Sequence, residues 1–79
     1  MYNVQQIIES IGRADSSIDI NNLEPDTVLS EVGADSLDMM NIFIEIDDLT
    51  DILVPDNDME YLTTAQLICD YVNKKYSQV

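Results

Sequence analysis

Apolar side chains in this chain recur at helical spacing, and no segment alternates in the manner of a strand. Val4, Ile7, Ile8 and Ile11 fall at i, i+3, i+4 and i+7, which predicts an amphipathic helix ended by Gly12. Met39, Ile42, Phe43, Ile46 and Leu49 share one side of a second helix, expected from Ser36 to about Leu49 with Asp35 as its N-cap. Thr63 and Gln66 have capping-box spacing and open a last helix through Leu67, Ile68, Tyr71 and Val72, with Lys74 and Lys75 suited to its C-terminal end. Pro55 breaks the chain after Ile52-Leu53-Val54, which leaves Asp56 to Leu62 room for only a short helical turn. With no internal repeat, the expected fold is all-α: a small bundle of three main helices and a minor one.

Between the first two helices, from Arg13 to Ala34, periodicity gives way to Asp, Ser, Asn and Pro25. So long a connection in so small a domain needs anchoring, and Ile18, Ile20, Leu23, Val28, Leu29 and Val32 are the side chains expected to pin it to the core. Nothing else staples the fold. The 79 residues, read as a single domain over 1–79, contain one cysteine and no histidine, so neither a disulfide nor a zinc site is available. Cys69, beside Ile68, reads as a small buried hydrophobe, and Tyr71 as a core residue of the last helix.

Sixteen acidic residues against three basic ones give a formal net charge of −13, which repels nucleic acid and anionic membranes. The imbalance is concentrated: Glu31 to Glu60 holds ten acids and no base. Partners should therefore be basic. With no basic N-terminal region and no long apolar run, the chain shows no signal peptide or membrane span, and a lone thiol fits a reducing compartment, so the cytoplasm is expected. The expected state is a monomer.

The segment Gly33-Ala34-Asp35-Ser36-Leu37-Asp38 sets a serine between two carboxylates where the second helix begins. The stretch from Ala14 to Asn73 has no lysine or arginine, so nothing near Ser36 can deprotonate it or stabilise an oxyanion. Such a serine is acted upon. Opposite the core side of the same helix, Leu37, Met40 and Ile44 form a second apolar stripe bordered by Asn41, Asp47 and Asp48. Either this stripe is exposed and docks partners, with the acids steering them, or the long loop folds over it. The first is expected.

These residues resemble the acyl carrier proteins, particularly the discrete ones of bacterial-type fatty acid synthesis. The resemblance rests on the Gly33–Asp38 run, the order of helices, the Val54-Pro55-Asp56 break, Thr63-Thr64 and Asp70-Tyr71-Val72. It implies a four-helix bundle whose Ser36 is esterified by 4′-phosphopantetheine, donated from coenzyme A by a separate, magnesium-dependent phosphopantetheinyl transferase. The arm's thiol would carry acyl groups as thioesters. The implied partners are that transferase and acyl transferases, ketoacyl synthases or other basic-surfaced acyl-processing enzymes. They would meet Asp35, Leu37, Asp38, Met40, Asn41, Ile44, Asp47 and Asp48. Val28, Leu29, Ile46, Thr50, Val54, Met59, Leu62 and Ile68 would shelter the acyl chain. Thr50 and Val28 stand where the family often has large aromatics, and Leu49 where an acid is common, which reshapes that interior. Asn41 replaces a frequent glutamate, and Glu45 a small residue.

Other classes fit less well. Polyketide, aminoacyl or D-alanyl carriers share the serine-bearing helix, and an acidic interaction module without a prosthetic group is a different reading of the same charge. Asp56-Asn57-Asp58-Met59-Glu60-Tyr61 begins like a calcium loop, but Tyr61 and Leu67 occupy the positions that need glycine and glutamate. A serine hydrolase lacks its Gly-x-Ser-x-Gly turn and its histidine.

Overall fold

The computed structural model describes residues 1–14 and 17–77; Asp15 and Ser16 of the expected connection, with Gln78 and Val79, lie outside them. Four α-helices follow in order, α1 (Val4–Ala14), α2 (Ser36–Thr50), α3 (Asp56–Met59) and α4 (Ala65–Ser77), with no strand among the described residues. The helix α1 packs along both α2 and α4. Its Ile7 and Ile11 meet Ile42, Ile46, Ile68 and Val72 in a fully buried aliphatic core. Each of these side chains contributes about 1.5–3 kcal/mol of transfer free energy, an upper estimate because the unfolded chain is itself partly collapsed.

The helix α1 starts on a reciprocal cap: the Gln6 amide donates to Asn3 Oδ1 and the Asn3 amide to Gln6 Oε1, both at 2.9 Å. It does not stop at Gly12. The residue lies inside the helix, where a Cβ would come within 2.9 Å of Ile20 Cγ2. Gly12 thus serves a close approach by the loop rather than a C-cap. At the other end of the chain, the amide of Tyr2 donates to Asn73 Oδ1 and Asn73 Nδ2 donates to Tyr2 O, both at 2.8 Å. The Tyr2 and Tyr76 rings meet edge to face with centroids 5.9 Å apart. Cys69 is buried beneath this junction, and burial pushes its thiol up from the ordinary value.

The long connection is organised by two 3₁₀ turns, Ile20–Asn22 and Leu29–Val32. Ile18, Leu23 and Leu29 are buried, Ile20 and Val28 are half-buried, and Val32 is exposed, so five of the six expected anchors reach inward. Two backbone bonds dock the loop on the α3–α4 junction: Leu29 N to Thr63 O and Gln66 N to Pro25 O, each 2.9 Å. The first of these shifts the start of α4. Because the Thr63 carbonyl is committed to the loop, the cap falls to Thr64, whose Oγ1 accepts from the Leu67 amide at 3.1 Å, and the Thr63–Gln66 box does not form.

Candidate functional site

Gly33 closes the second 3₁₀ turn with φ 101°, a left-handed conformation that favours glycine, and its amide donates to Ser30 O at 3.4 Å. The Ala34 amide then donates to Leu29 O at 3.1 Å, and Ala34 is buried. This fixes the approach of the chain to α2. Asp35 adopts an extended N-cap conformation; the Asp38 amide donates to Asp35 Oδ1 at 2.9 Å and the Asp35 amide to Asp38 Oδ2 at 3.1 Å. The two carboxylates that flank Ser36 therefore form a complete capping box, matching the sequence expectation for Asp35 and adding a partner to it.

Ser36 is the first residue of α2 and is exposed. The chain's cations are elsewhere: Arg13 Nε is 3.6 Å from Glu45 Oε2, and Lys74 and Lys75 occupy the last turn of α4. Beside Ser36 opens a cavity of about 290 Å³ lined by Leu29, Ser30, Met39, Met40, Asp56, Met59, Glu60 and Thr63. Its floor is largely apolar, with three methionine side chains that adapt to irregular shapes. A smaller groove of about 120 Å³ follows Met40, Phe43, Ile44 and Asp47 to Leu53, Val54, Asp56 and Met59.

The expected stripe faces solvent. Leu37 is 65% exposed, Met40 57% and Ile44 59%, so the loop does not cover it. Asn41 and Asp48 are exposed beside it and Asp47 half-buried, while Leu53, at 77%, extends the apolar surface beyond the end of α2. Ile52 instead packs against the core. Glu45 turns toward α1 to meet Arg13.

The residues expected around an acyl chain divide by position. Leu29 and Met59 line the cavity beside Ser36, and Val54 and Met59 line the groove. Ile46 and Ile68 lie in the closed core, Thr50 and Leu62 are buried and Val28 is half-buried. Thr50 also secures the end of α2, where its Oγ1 donates to Ile46 O at 2.7 Å and accepts from the Ile52 amide at 3.1 Å. Met39, Asp56 and Glu60 join the cavity although the sequence does not single them out for it. Met39 shares the periodicity of the core residues, and Asp56 and Glu60 are two acids in a long acidic run, so no local pattern marks them. Among the described residues no group of histidine, cysteine and acid side chains could hold a metal ion, and no helix is long and apolar enough to cross a membrane.

Comparison with known proteins agrees with this geometry. The family described as "Phosphopantetheine attachment site" matches residues 5–72. Proteins named acyl carrier protein from Chlorobium phaeobacteroides, Chlorobium phaeovibrioides and Chlorobium luteolum are each 36% identical over 56 residues, covering 70% of this chain and 72% of the relative. The chain thus belongs to the acyl carrier protein family and is a carrier rather than a catalyst, with phosphopantetheine as its prosthetic group.

Proposed function

We propose that Ser36 is the attachment point of 4′-phosphopantetheine and that the protein presents fatty or related acyl groups to biosynthetic enzymes in the cytoplasm. The observation that carries this reading is the placement of Ser36: exposed, first in α2, and opening onto a largely apolar cavity. When bound, the arm supplies a terminal thiol that holds acyl groups as thioesters.

In attachment, Ser36 Oγ forms the new bond to phosphorus as the pyrophosphate linkage of coenzyme A breaks and 3′,5′-adenosine bisphosphate leaves, and the hydroxyl proton passes to a base on the transferase. The chain has no histidine to take it. The capping box uses the Asp38 amide and leaves those of Ser36 and Leu37 without intrahelical partners, so they are suited to meet a phosphodiester at the positive end of the helix dipole. Asp35 and Asp38 already receive backbone N–H groups, which lessens their opposition to that charge. Leu37, Met40 and Ile44 supply apolar contact for partners, and Asn41, Asp47 and Asp48 border it. The largely apolar cavity wall favours a fatty-acyl cargo over an aminoacyl one.

The test is intact mass after incubation with coenzyme A, magnesium and a broad-specificity phosphopantetheinyl transferase. One phosphopantetheinyl group should be gained, and Ser36→Ala should gain none; no gain in the native chain, or a gain that persists in the variant, refutes the assignment. Loading of the modified protein with malonyl, longer acyl and aminoacyl donors then separates the cargo classes. Preference for amino acids would overturn the fatty-acyl version alone.

A further inference from the structure

The side of α3 that faces away from Ser36 carries a bond that determines how firmly the cavity is walled. With four residues, α3 packs its backbone on other helices far less extensively than α1 does on α2 and α4. Its position depends on side chains. Val54 and Leu62 are buried on either side of it, and Met59 rests against the core. The polar tie is Tyr71 Oη, which donates to Asp58 Oδ2 at 2.8 Å from α4, thirteen residues away in sequence.

The Tyr71 ring is packed against the core, and Lys75 Nζ lies 5.5 Å from its centroid, so the hydroxyl is presented from a fixed base. A hydrogen bond to a carboxylate is also stronger than one between neutral groups. On its other flank, α3 contributes Asp56, Met59 and Glu60 to the cavity beside Ser36, and Asp56 and Met59 also line the groove that runs toward Leu53. One short, weakly packed element therefore walls both openings.

We propose that the Tyr71–Asp58 hydrogen bond is a latch that holds α3 on the bundle and sets how tightly a chain carried from Ser36 is enclosed, making Tyr71 a positioning residue for cargo. The enclosure of cargo rests on attachment at Ser36; the mechanical role of the bond does not. An intact latch keeps Met59 over the cavity and shields a thioester-linked chain. Release leaves α3 held mainly by the side-chain packing of Val54, Met59 and Leu62, so that it moves as a unit.

Amide hydrogen exchange on the unmodified protein tests the latch. In Tyr71→Phe, which keeps the ring, the amides of Asp58, Met59, Tyr61 and Leu62 should exchange about tenfold faster while those of Ile7, Ile8 and Ile11 keep their rates. Asp58→Asn retains an accepting oxygen and should keep most of the protection, whereas Asp58→Ala should match Tyr71→Phe. Equal acceleration in α1 and α3, unchanged α3 rates, or an Asn variant as unprotected as the Ala variant would each overturn the latch. A second measurement uses the octanoyl-loaded protein: hydroxylamine should attack its thioester several-fold faster in Tyr71→Phe. Faster α3 exchange with unchanged thioester attack would overturn the role toward cargo. Absence of any arm on Ser36 would refute the attachment site, and the exchange experiment would still decide the latch.

Discussion

Gly33 and Thr50 show how single residues hold the site from opposite ends of α2. An added Cβ on Gly33 would meet nothing within 4 Å, so its requirement lies in the backbone, held at φ 101°. Gly33→Ala should cost about 1–2 kcal/mol in urea denaturation with an unchanged slope, and should slow modification of Ser36 by misplacing the start of the helix. Thr50 acts through hydrogen bonds instead. Thr50→Val preserves shape but leaves the Ile52 amide without its 3.1 Å acceptor, so a loss of about 1–2 kcal/mol is expected in the same measurement. The hydroxyl explains what this residue does here: it ties the α2 end to the loop that follows.

At the scale of elements, α2 carries charge where the helix dipole disfavours it. Asp47, Asp48 and Asp51 crowd its negative end, and Asp51 also adopts a left-handed C-cap conformation at φ 56°. Asn tolerates that conformation without the charge, so Asp51→Asn should stabilise by about half a kcal/mol at low salt, a gain that shrinks as salt is added. Retaining such acids beside an exposed apolar stripe fits a surface shaped for partners rather than for stability. Met40→Ala should accordingly change folding stability by less than about 0.5 kcal/mol while lowering the transferase's kcat/KM about fivefold. The link between α3 and α4 has its own pH signature. Burial and the bond to Asp58 push the Tyr71 hydroxyl from 10.0 up to about 12. The native state then holds this proton more tightly than the unfolded chain does, so its contribution is intact below pH 10 and lost as pH rises through about 12. The stability difference between the native protein and Tyr71→Phe should therefore narrow across that window in alkaline denaturation.

For the whole molecule, a formal charge of −13 on 79 residues makes salt a control variable. Self-repulsion weakens as the Debye length falls to about 10 Å at 0.1 M, so the melting temperature should rise with added sodium chloride. Association with a basic partner should move the other way. The transferase's KM should increase steeply over the same range, and a salt-independent KM would argue against acid-driven docking.

Helix order, the fold class and the Asp35 cap were legible because each is written locally, in the 3.6-residue period of aliphatic side chains and in one capping residue before an apolar run. The place of Ser36 was legible for a related reason: it directly follows the N-cap Asp35, which makes it the first residue of α2. Features made by contact between distant segments were not. Gly12 reads as a helix stop until Ile20 is seen against it, and Thr63 reads as a cap until the Leu29 amide is found on its carbonyl. Likewise, the bidentate pairing of Asn73 with Tyr2, the bond from Tyr71 to Asp58 and the cavity formed by Leu29, Met39, Met59 and Thr63 join residues that no local pattern relates. Sequence alone determined which helices form and that Ser36 stands at the start of one; tertiary packing decided where they stop, what surrounds that serine and what holds α3, because those depend on which distant groups compete for the same space and the same hydrogen bonds.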